Sequence, residues 1–142
     1  MKYLKDHIKK FDLVVVNDFG HGLMTKKIIR FVCGKANYLA LNVQANSANY
    51  GYNVITKYPH ADFVCIDEQE IRLATHDKTG DVQNLIKKIY RKLRCKQIMV
   101  TRGNEGTVSY GSQGFLQTPS LTDKVVDRVG AGDALFAITS PR

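Results

Sequence analysis

Four short apolar runs, Leu13 to Val16, Tyr38 to Asn42, Asp62 to Ile66 and Gln97 to Thr101, are separated by segments whose apolar residues recur at helical spacing. Near-continuous Val, Ile and Leu without strict polar alternation fits strands covered on both faces. Helices are expected over Thr25 to Cys33, Glu68 to Thr75 and Asp81 to Leu93. Parallel strands require crossovers and helices supply them, so the pattern predicts an α/β fold. The sheet should be doubly wound and mainly parallel, with helices on both faces. The rhythm then changes. Thr107 to Tyr110 and Phe115 to Thr118 flank Gly111-Ser112-Gln113-Gly114, which predicts an antiparallel hairpin.

A length of 142 residues suits one domain, and 44% hydrophobic with 24% charged residues is ordinary for a chain with a packed core. No apolar run is long enough to span a bilayer, and the basic start Met1-Lys2-Tyr3-Leu4-Lys5 has no apolar stretch behind it, so a cytoplasmic location is expected. Residues 2–10 have the spacing of a helix tail whose Tyr3, Leu4 and Ile8 seek a core. At the other end the apolar pattern Ala131 to Thr139 stops at Ser140-Pro141-Arg142. Both ends read as cut, giving one partial α/β domain over 1–142, without internal repeats. Cys33, Cys65 and Cys95 are odd in number and widely spaced, which fits reduced, mostly buried thiols. His7, His21, His60 and His76 are scattered without metal-ligand spacing.

The net charge of +8 raises the question of nucleic acid. Its distribution argues against that partner. Lys87, Lys88, Arg91, Lys92, Arg94 and Lys96 fall in and just after the Asp81 to Leu93 segment, where Leu85, Ile86, Ile89 and Leu93 recur at helical spacing. That is an amphipathic helix with a solvated basic face. Only Tyr90 interleaves with the charges as a base-stacking surface would require. Neither nucleic acid nor a membrane is expected as a partner.

Near the end, Val125-Val126-Asp127-Arg128-Val129-Gly130-Ala131-Gly132-Asp133 reads as strand, tight turn and helix start. Gly130 and Gly132 permit the turn, and the first free N–H groups of the helix point at a common spot that suits an anion. Asp133 stands in the first helical turn, where the dipole favours a carboxylate and where an attacking hydroxyl can lie beside both acid and phosphate. A dinucleotide-binding turn would need Gly or Ala at Leu135, and a phosphate loop would need Lys after Gly132. Two readings stay open on the turn alone: an anion hole with a base, or a plain strand-to-helix turn.

Asp127-x-x-Gly130-Ala131-Gly132-Asp133 with its small, apolar helix resembles the C-terminal signature of the PfkB, or ribokinase-like, carbohydrate kinases. Three further segments follow the family's order. Asn17-Asp18-Phe19-Gly20-His21-Gly22-Leu23 resembles the Ser-Asp-Tyr-x-Lys-Gly segment of heptose-phosphate kinases. Asp67-Glu68-Gln69-Glu70 stands where the family has Asn-x-x-Glu, and Thr101-Arg102-Gly103-Asn104-Glu105-Gly106 matches its Thr-Arg-Gly-x-x-Gly turn. The Asp18-Phe19-Gly20 triplet does not make a protein kinase, since the His-Arg-Asp loop and the Val-Ala-x-Lys strand are absent.

The resemblance implies a ribokinase-like fold, of which this chain is the C-terminal portion, and ATP-dependent, Mg²⁺-assisted phosphoryl transfer to a sugar or sugar phosphate. It implies Asp133 as the base and the N–H groups of Gly130, Ala131 and Gly132 as the anion hole. Glu70 and Asp67 would organise the metal, with Asp67 replacing an Asn. Thr101, Arg102, Gly103, Gly106 and Asp127 would face the nucleotide, with a simple β-turn as the other reading of residues 101–106, and Asp18 and Gly22 the substrate, with a helix N-cap and tight turn as the competing role of the Asp18 segment. Arg128-Val129 replaces the family's usual Thr-Thr, so Val129 offers no hydroxyl, while Arg128 either contacts phosphate or faces solvent. In Asn42-Val43-Gln44-Ala45-Asn46-Ser47-Ala48-Asn49-Tyr50-Gly51-Tyr52-Asn53 the amides either read sugar hydroxyls or build a loop. A homodimer and fusion to a nucleotidyltransferase domain in the parent protein are partners the resemblance allows. The isolated chain is expected to be inactive. The alternative function is a catalytically weak nucleotide-binding or scaffold module.

Overall fold

The computed structural model describes residues 1–121 and 130–140. Six strands form one sheet in sequence order: β1 Val14–Asp18, β2 Leu39–Val43, β3 Phe63–Asp67, β4 Gln97–Thr101, β5 Thr107–Gly111 and β6 Gly114–Thr118. β1 to β4 pair in parallel, and β5 and β6 form the expected antiparallel hairpin beside β4. Gln97–Thr101 lies where expected. The first three strands each sit one residue further along than the apolar runs suggested, and β1 extends to Asp18.

The helices are α1 Lys2–His7, α2 Lys26–Lys35, α3 Glu68–Thr75, α4 Val82–Leu93 and α5 Ala131–Thr139. Side-chain caps set three starts: Thr25 accepts from the Ile28 N–H (3.4 Å), Asp67 from Glu70 (2.7 Å) and Asp81 from Asn84 (3.0 Å). α3 and α4 end where His76 and Arg94 turn left-handed.

Alternation along the strands sorts the core into two layers. Leu39, Leu41, Val43, Val64 and Ile66 join Ile29, Val32, Ile71, Leu85, Ile86, Ile89 and Leu93 from α2, α3 and α4. Ala40, Phe63 and Cys65 face the other way and bury Phe136 of α5. Helices therefore cover both faces, and each large side chain so buried contributes roughly 1.5–3 kcal/mol. Ile8 reaches the main core, whereas Tyr3 stays exposed and stacks on His7. Tyr90 packs edge-on against Tyr110, which in turn meets Phe115, so the one aromatic among the α4 charges ties that helix to the hairpin. Cys65 and Cys95 are buried and Cys33 half-buried; burial pushes the Cys65 and Cys95 thiols up to about 12. No described helix is long and apolar enough to cross a membrane.

Candidate active site

Because β1 to β4 are parallel, their ends at Asp18, Val43, Asp67 and Thr101 share one edge of the sheet, where α/β proteins gather ligands. α5 reaches this edge from the opposite face. Its cap, Gly130, has φ 78°, and the first helical bond runs from the Ala134 N–H to the Gly130 carbonyl at 2.9 Å. The N–H groups of Ala131, Gly132 and Asp133 are thus without intrahelical partners. A Cβ placed on Gly130 or Gly132 would meet no atom within 4 Å among the described residues. Asp127, Arg128 and Val129, with the expected strand at Val125-Val126, lie outside the described residues.

Asp133 projects from the first turn of α5 toward the ends of β1 and β2. Its Oδ1 accepts two hydrogen bonds, from Gln44 Nε2 at 2.7 Å and from Asn17 Nδ2 at 3.0 Å. Its Oδ2 accepts none among the described residues.

The Asp67-Glu70 pair is a reciprocal capping box at the start of α3. The Glu70 N–H donates to Asp67 Oδ1 at 2.7 Å, and the Asp67 N–H donates to Glu70 Oε2 at 2.9 Å. Glu70 Oε1 also accepts from the Ala45 N–H at 3.3 Å. Burial, then the negative charge of Asp67 and, less strongly, that of Asp133 push the Glu70 carboxyl up to about 7, against the pull of these two backbone donors. Glu70 therefore senses both of the other acids. Among the described residues no three His, Cys, Asp or Glu side chains form a ready-made metal cage. The set instead fits a hydrated Mg²⁺, which keeps several waters and needs one or two carboxylates beside phosphate oxygens.

Register pairing sets Thr101 beside Asp67, so the Thr101-to-Gly106 turn adjoins the Asp67-to-Glu70 capping box. Gly106 has φ 81°, and a Cβ there would lie 2.0 Å from the Thr118 carbonyl oxygen; no other residue fits. Gly103 also has positive φ but faces open space. The Arg102 guanidinium is engaged by Glu68 and by Glu105, each at 2.7 Å, and Glu68 also binds Arg72 at 2.7 Å. Arg102 thus ties the turn to α3.

Asp18 is buried at 4% exposure and points into the protein. Its carboxylate accepts from the Tyr58 hydroxyl (2.6 Å) and the Gly20 N–H (2.9 Å), and pairs with the Lys57 ammonium at 2.6 Å. Burial pushes the Asp18 carboxyl up, but Lys57, Tyr58 and Gly20 together outweigh it and hold the pKa below the usual carboxylate range. Gly22, with φ 86°, lies exposed in the turn that follows.

The amide-rich segment splits between the two roles left open for it. Asn46 and Asn49 both donate to the Phe19 carbonyl, at 3.0 and 2.8 Å, and bond each other's backbone. Asn53 Nδ2 bridges the carbonyls of Asp18 and Gln44, both at 2.9 Å, and its side-chain oxygen accepts from Lys57. These three build the loop. Asn42 donates to the Cys65 carbonyl at 2.9 Å, while its Oδ1 has no partner among the described residues. Gln44 alone in the segment reaches Asp133. Sequence reasoning missed Asn17 as a contact of Asp133, and Asn53, Lys57 and Tyr58 as the anchor of Asp18. Nothing in the periodicity of residues 44–58 marks them.

A family model described as pfkB family carbohydrate kinase matches residues 53–138. The bifunctional protein HldE of Nitrobacter winogradskyi is 30% identical over 132 residues, which cover 89% of this chain and 26% of that protein. HldE of Campylobacter jejuni is 26% identical over 136 residues, covering 94% of this chain and 29% of its own. The chain thus spans well under half the length of these relatives. Among solved structures, phosphofructokinase-2 from Escherichia coli in complex with substrates and products superposes with TM-score 0.73 at 15% identity, over 97% of this chain and 47% of that one. Ribokinase from Arabidopsis thaliana, complexed with ribose and ATP, gives TM-score 0.67 at 17% identity, over 92% and 42%. At such identities the likeness is one of fold.

Proposed function

Since the chain belongs to the pfkB family of carbohydrate kinases, we propose that it carries the catalytic turn and nucleotide side of an ATP-dependent kinase acting on a hydroxyl of a sugar or sugar phosphate. The observation that carries this reading is that, among the described residues, Asp133 Oδ2 accepts no hydrogen bond and the N–H groups that open α5 have no intrahelical partner. A phosphoryl group seated on the N–H groups of Gly130, Ala131 and Gly132 has its developing charge stabilised by donors that need no rearrangement. The acceptor hydroxyl then lies against Asp133. As its oxygen bonds to the γ-phosphorus, its proton passes to Oδ2, and the bond to the bridging oxygen breaks with its electron pair leaving on ADP.

Glu70 and Asp67 would hold Mg²⁺ through its waters, and the ion would balance the polyphosphate charge when bound. In this assignment the Thr101, Arg102, Gly103 and Gly106 turn, with Asp127, flanks the nucleotide, while the Asp18 and Gly22 turn flanks the sugar. Asp18 serves there through the loop it anchors. The name of the HldE relatives is that of a bifunctional protein; for the parent of this chain we propose a nucleotidyltransferase as the second activity. The test is turnover of a panel of sugars and sugar phosphates by the full-length gene product, since the chain spans 26% of its HldE relative from Nitrobacter winogradskyi. Asp133→Asn should lower kcat on the order of 10²–10⁴-fold. Unchanged turnover with nucleotide still bound would sink the assignment, and nucleotide binding without any turnover would favour the scaffold alternative.

A further inference from the structure

Two side chains with no role in the scheme above touch the proposed base. Asn17 stands near the end of β1 and Gln44 just beyond β2, and both aim an NH₂ group at Oδ1 of Asp133, at 3.0 and 2.7 Å. We infer that Asn17 and Gln44 are positioning residues that pin Oδ1 and so present Oδ2 alone to the acceptor hydroxyl. The inference rests on the reading of Asp133 as the base.

A carboxylate in the first turn of a helix can rotate, and its two oxygens are chemically equal until something distinguishes them. Here the helix does not. α5 has no side-chain cap and buries a single side chain, Phe136. The orientation comes instead from across the interface, where β1 and the segment just after β2 each supply a donor. Amide groups suit the task, because an amide N–H donates firmly yet is no acid that would return a proton to the carboxylate at neutral pH. They also add no positive charge that would compete with the hydroxyl proton.

Gln44 is itself fixed from behind. Its backbone N–H donates to the Asp18 carbonyl at 3.0 Å, and its own carbonyl accepts from Asn53 Nδ2 at 2.9 Å. Asn53 is buried and makes the same bond to the Asp18 carbonyl. Gly20 is part of this fit: a Cβ there would lie 2.2 Å from Asn49 Nδ2 and 2.8 Å from Asn53 Cγ. The buried Asp18 anchor therefore reaches Asp133 through Gln44. A misplacement of about 1 Å in a reacting group costs on the order of 10²-fold in rate.

The experiment uses the full-length protein with ATP and the sugar it turns over best. Gln44→Met keeps the length of a half-buried side chain and Asn17→Ser changes an exposed one, so the fold should tolerate the loss of each amide donor. Each should lower kcat by about 10-fold and the pair by about 10²-fold, with both KM values held within about twofold and the melting temperature unchanged. A structural role alone would not split kcat from KM in this way. Asp133→Asn runs alongside. If it abolishes turnover while the double variant keeps kcat within about twofold of the parent, the inference is wrong and the base assignment stands. If Asp133→Asn itself turns over normally, the base assignment falls and takes the inference with it. Should the double variant fail to fold, Asn17→Ser decides alone, since Asn17 is exposed; a kcat within twofold of the parent overturns the inference.

Discussion

Replacing Tyr58 by Phe removes one oxygen from a buried site and leaves the ring in place. Tyr58 is 1% exposed, and its hydroxyl donates at 2.6 Å to Asp18 Oδ2, whose residue is 4% exposed. A hydrogen bond to a charged acceptor is worth about 1.5–3 kcal/mol, and ring packing is unchanged, so the loss at pH 7 should be about 2 kcal/mol. Lys57 and the Gly20 N–H remain on the carboxylate, which keeps the cost below that of stranding a bare buried charge. The pH dependence has a definite sign. Asp18 is held below its unfolded value, so its contribution is present above an unfolded pKa near 3.8 and is lost as pH falls through the lower folded value. The gap between parent and Tyr58→Phe, measured by urea denaturation, should therefore be full at pH 7 and narrow as the pH falls below about 4. A gap under about 0.5 kcal/mol at pH 7, or one as wide in acid as at neutrality, would refute the picture of a charged Asp18 anchored by this hydroxyl.

Gly106→Ala forces a Cβ to within 2.0 Å of the Thr118 carbonyl in a conformation that L residues avoid, so it should cost more than the 1–3 kcal/mol or so of backbone strain alone; Gly103→Ala, facing open space, should cost about 1 kcal/mol, and equal melting temperatures for the two would contradict the geometry. Phe136→Ala empties the contact that seats α5 on Phe63 and should cost about 3–5 kcal/mol if α5 unfolds with the sheet. Because α5 buries only that side chain, amide exchange should instead show its protection falling ahead of β2 and β3, and uniform loss across all three would refute the local anchoring.

The strands were legible because a strand buried on both faces is an apolar run, and β4 emerged with its observed ends. Tyr38 to Asn42 became Leu39–Val43 for a reason the run cannot encode: ends are set by pairing with Val14–Asp18, not by hydrophobicity. The hairpin was legible from its glycines, and α3 from Asp67 and Glu70, whose capping-box spacing stands in the sequence. Asp18 shows what was not. A polar residue ending an apolar run looks like a mouth residue, whereas its partners Lys57 and Tyr58 lie 39 and 40 positions on, in a segment without period. Asn17 and Gln44 were opaque for the same reason, being 116 and 89 positions from Asp133.

Charge is distributed unevenly around the sheet edge. Away from the α5 N-terminus, three of the four half-buried or buried acids among the described residues have cations, Lys57 for Asp18, Lys96 for Asp62, and Arg72 and Arg102 for Glu68, while the fourth, Asp77, accepts from the Thr79 and Gly80 N–H groups. Asp67, Glu70 and Asp133 have no ion pair among the described residues, and Glu70 records their company in a carboxyl pushed up to about 7. A fold that neutralises Glu68 twice yet leaves its neighbours Asp67 and Glu70 unpaired is not short of basic residues, at a net charge of +8. The deficit is local and lies next to the α5 N-terminus, which has no side-chain cap. Acids and an anion site can share such a space when a divalent cation stands between them, and that is the arrangement a polyphosphate brings with its magnesium. The proposed chemistry accounts for both the unpaired acids and the open helix end, whereas the capping box explains Asp67 and Glu70 at the start of α3 but not why Asp133 stands close enough to add to the charge that Glu70 feels.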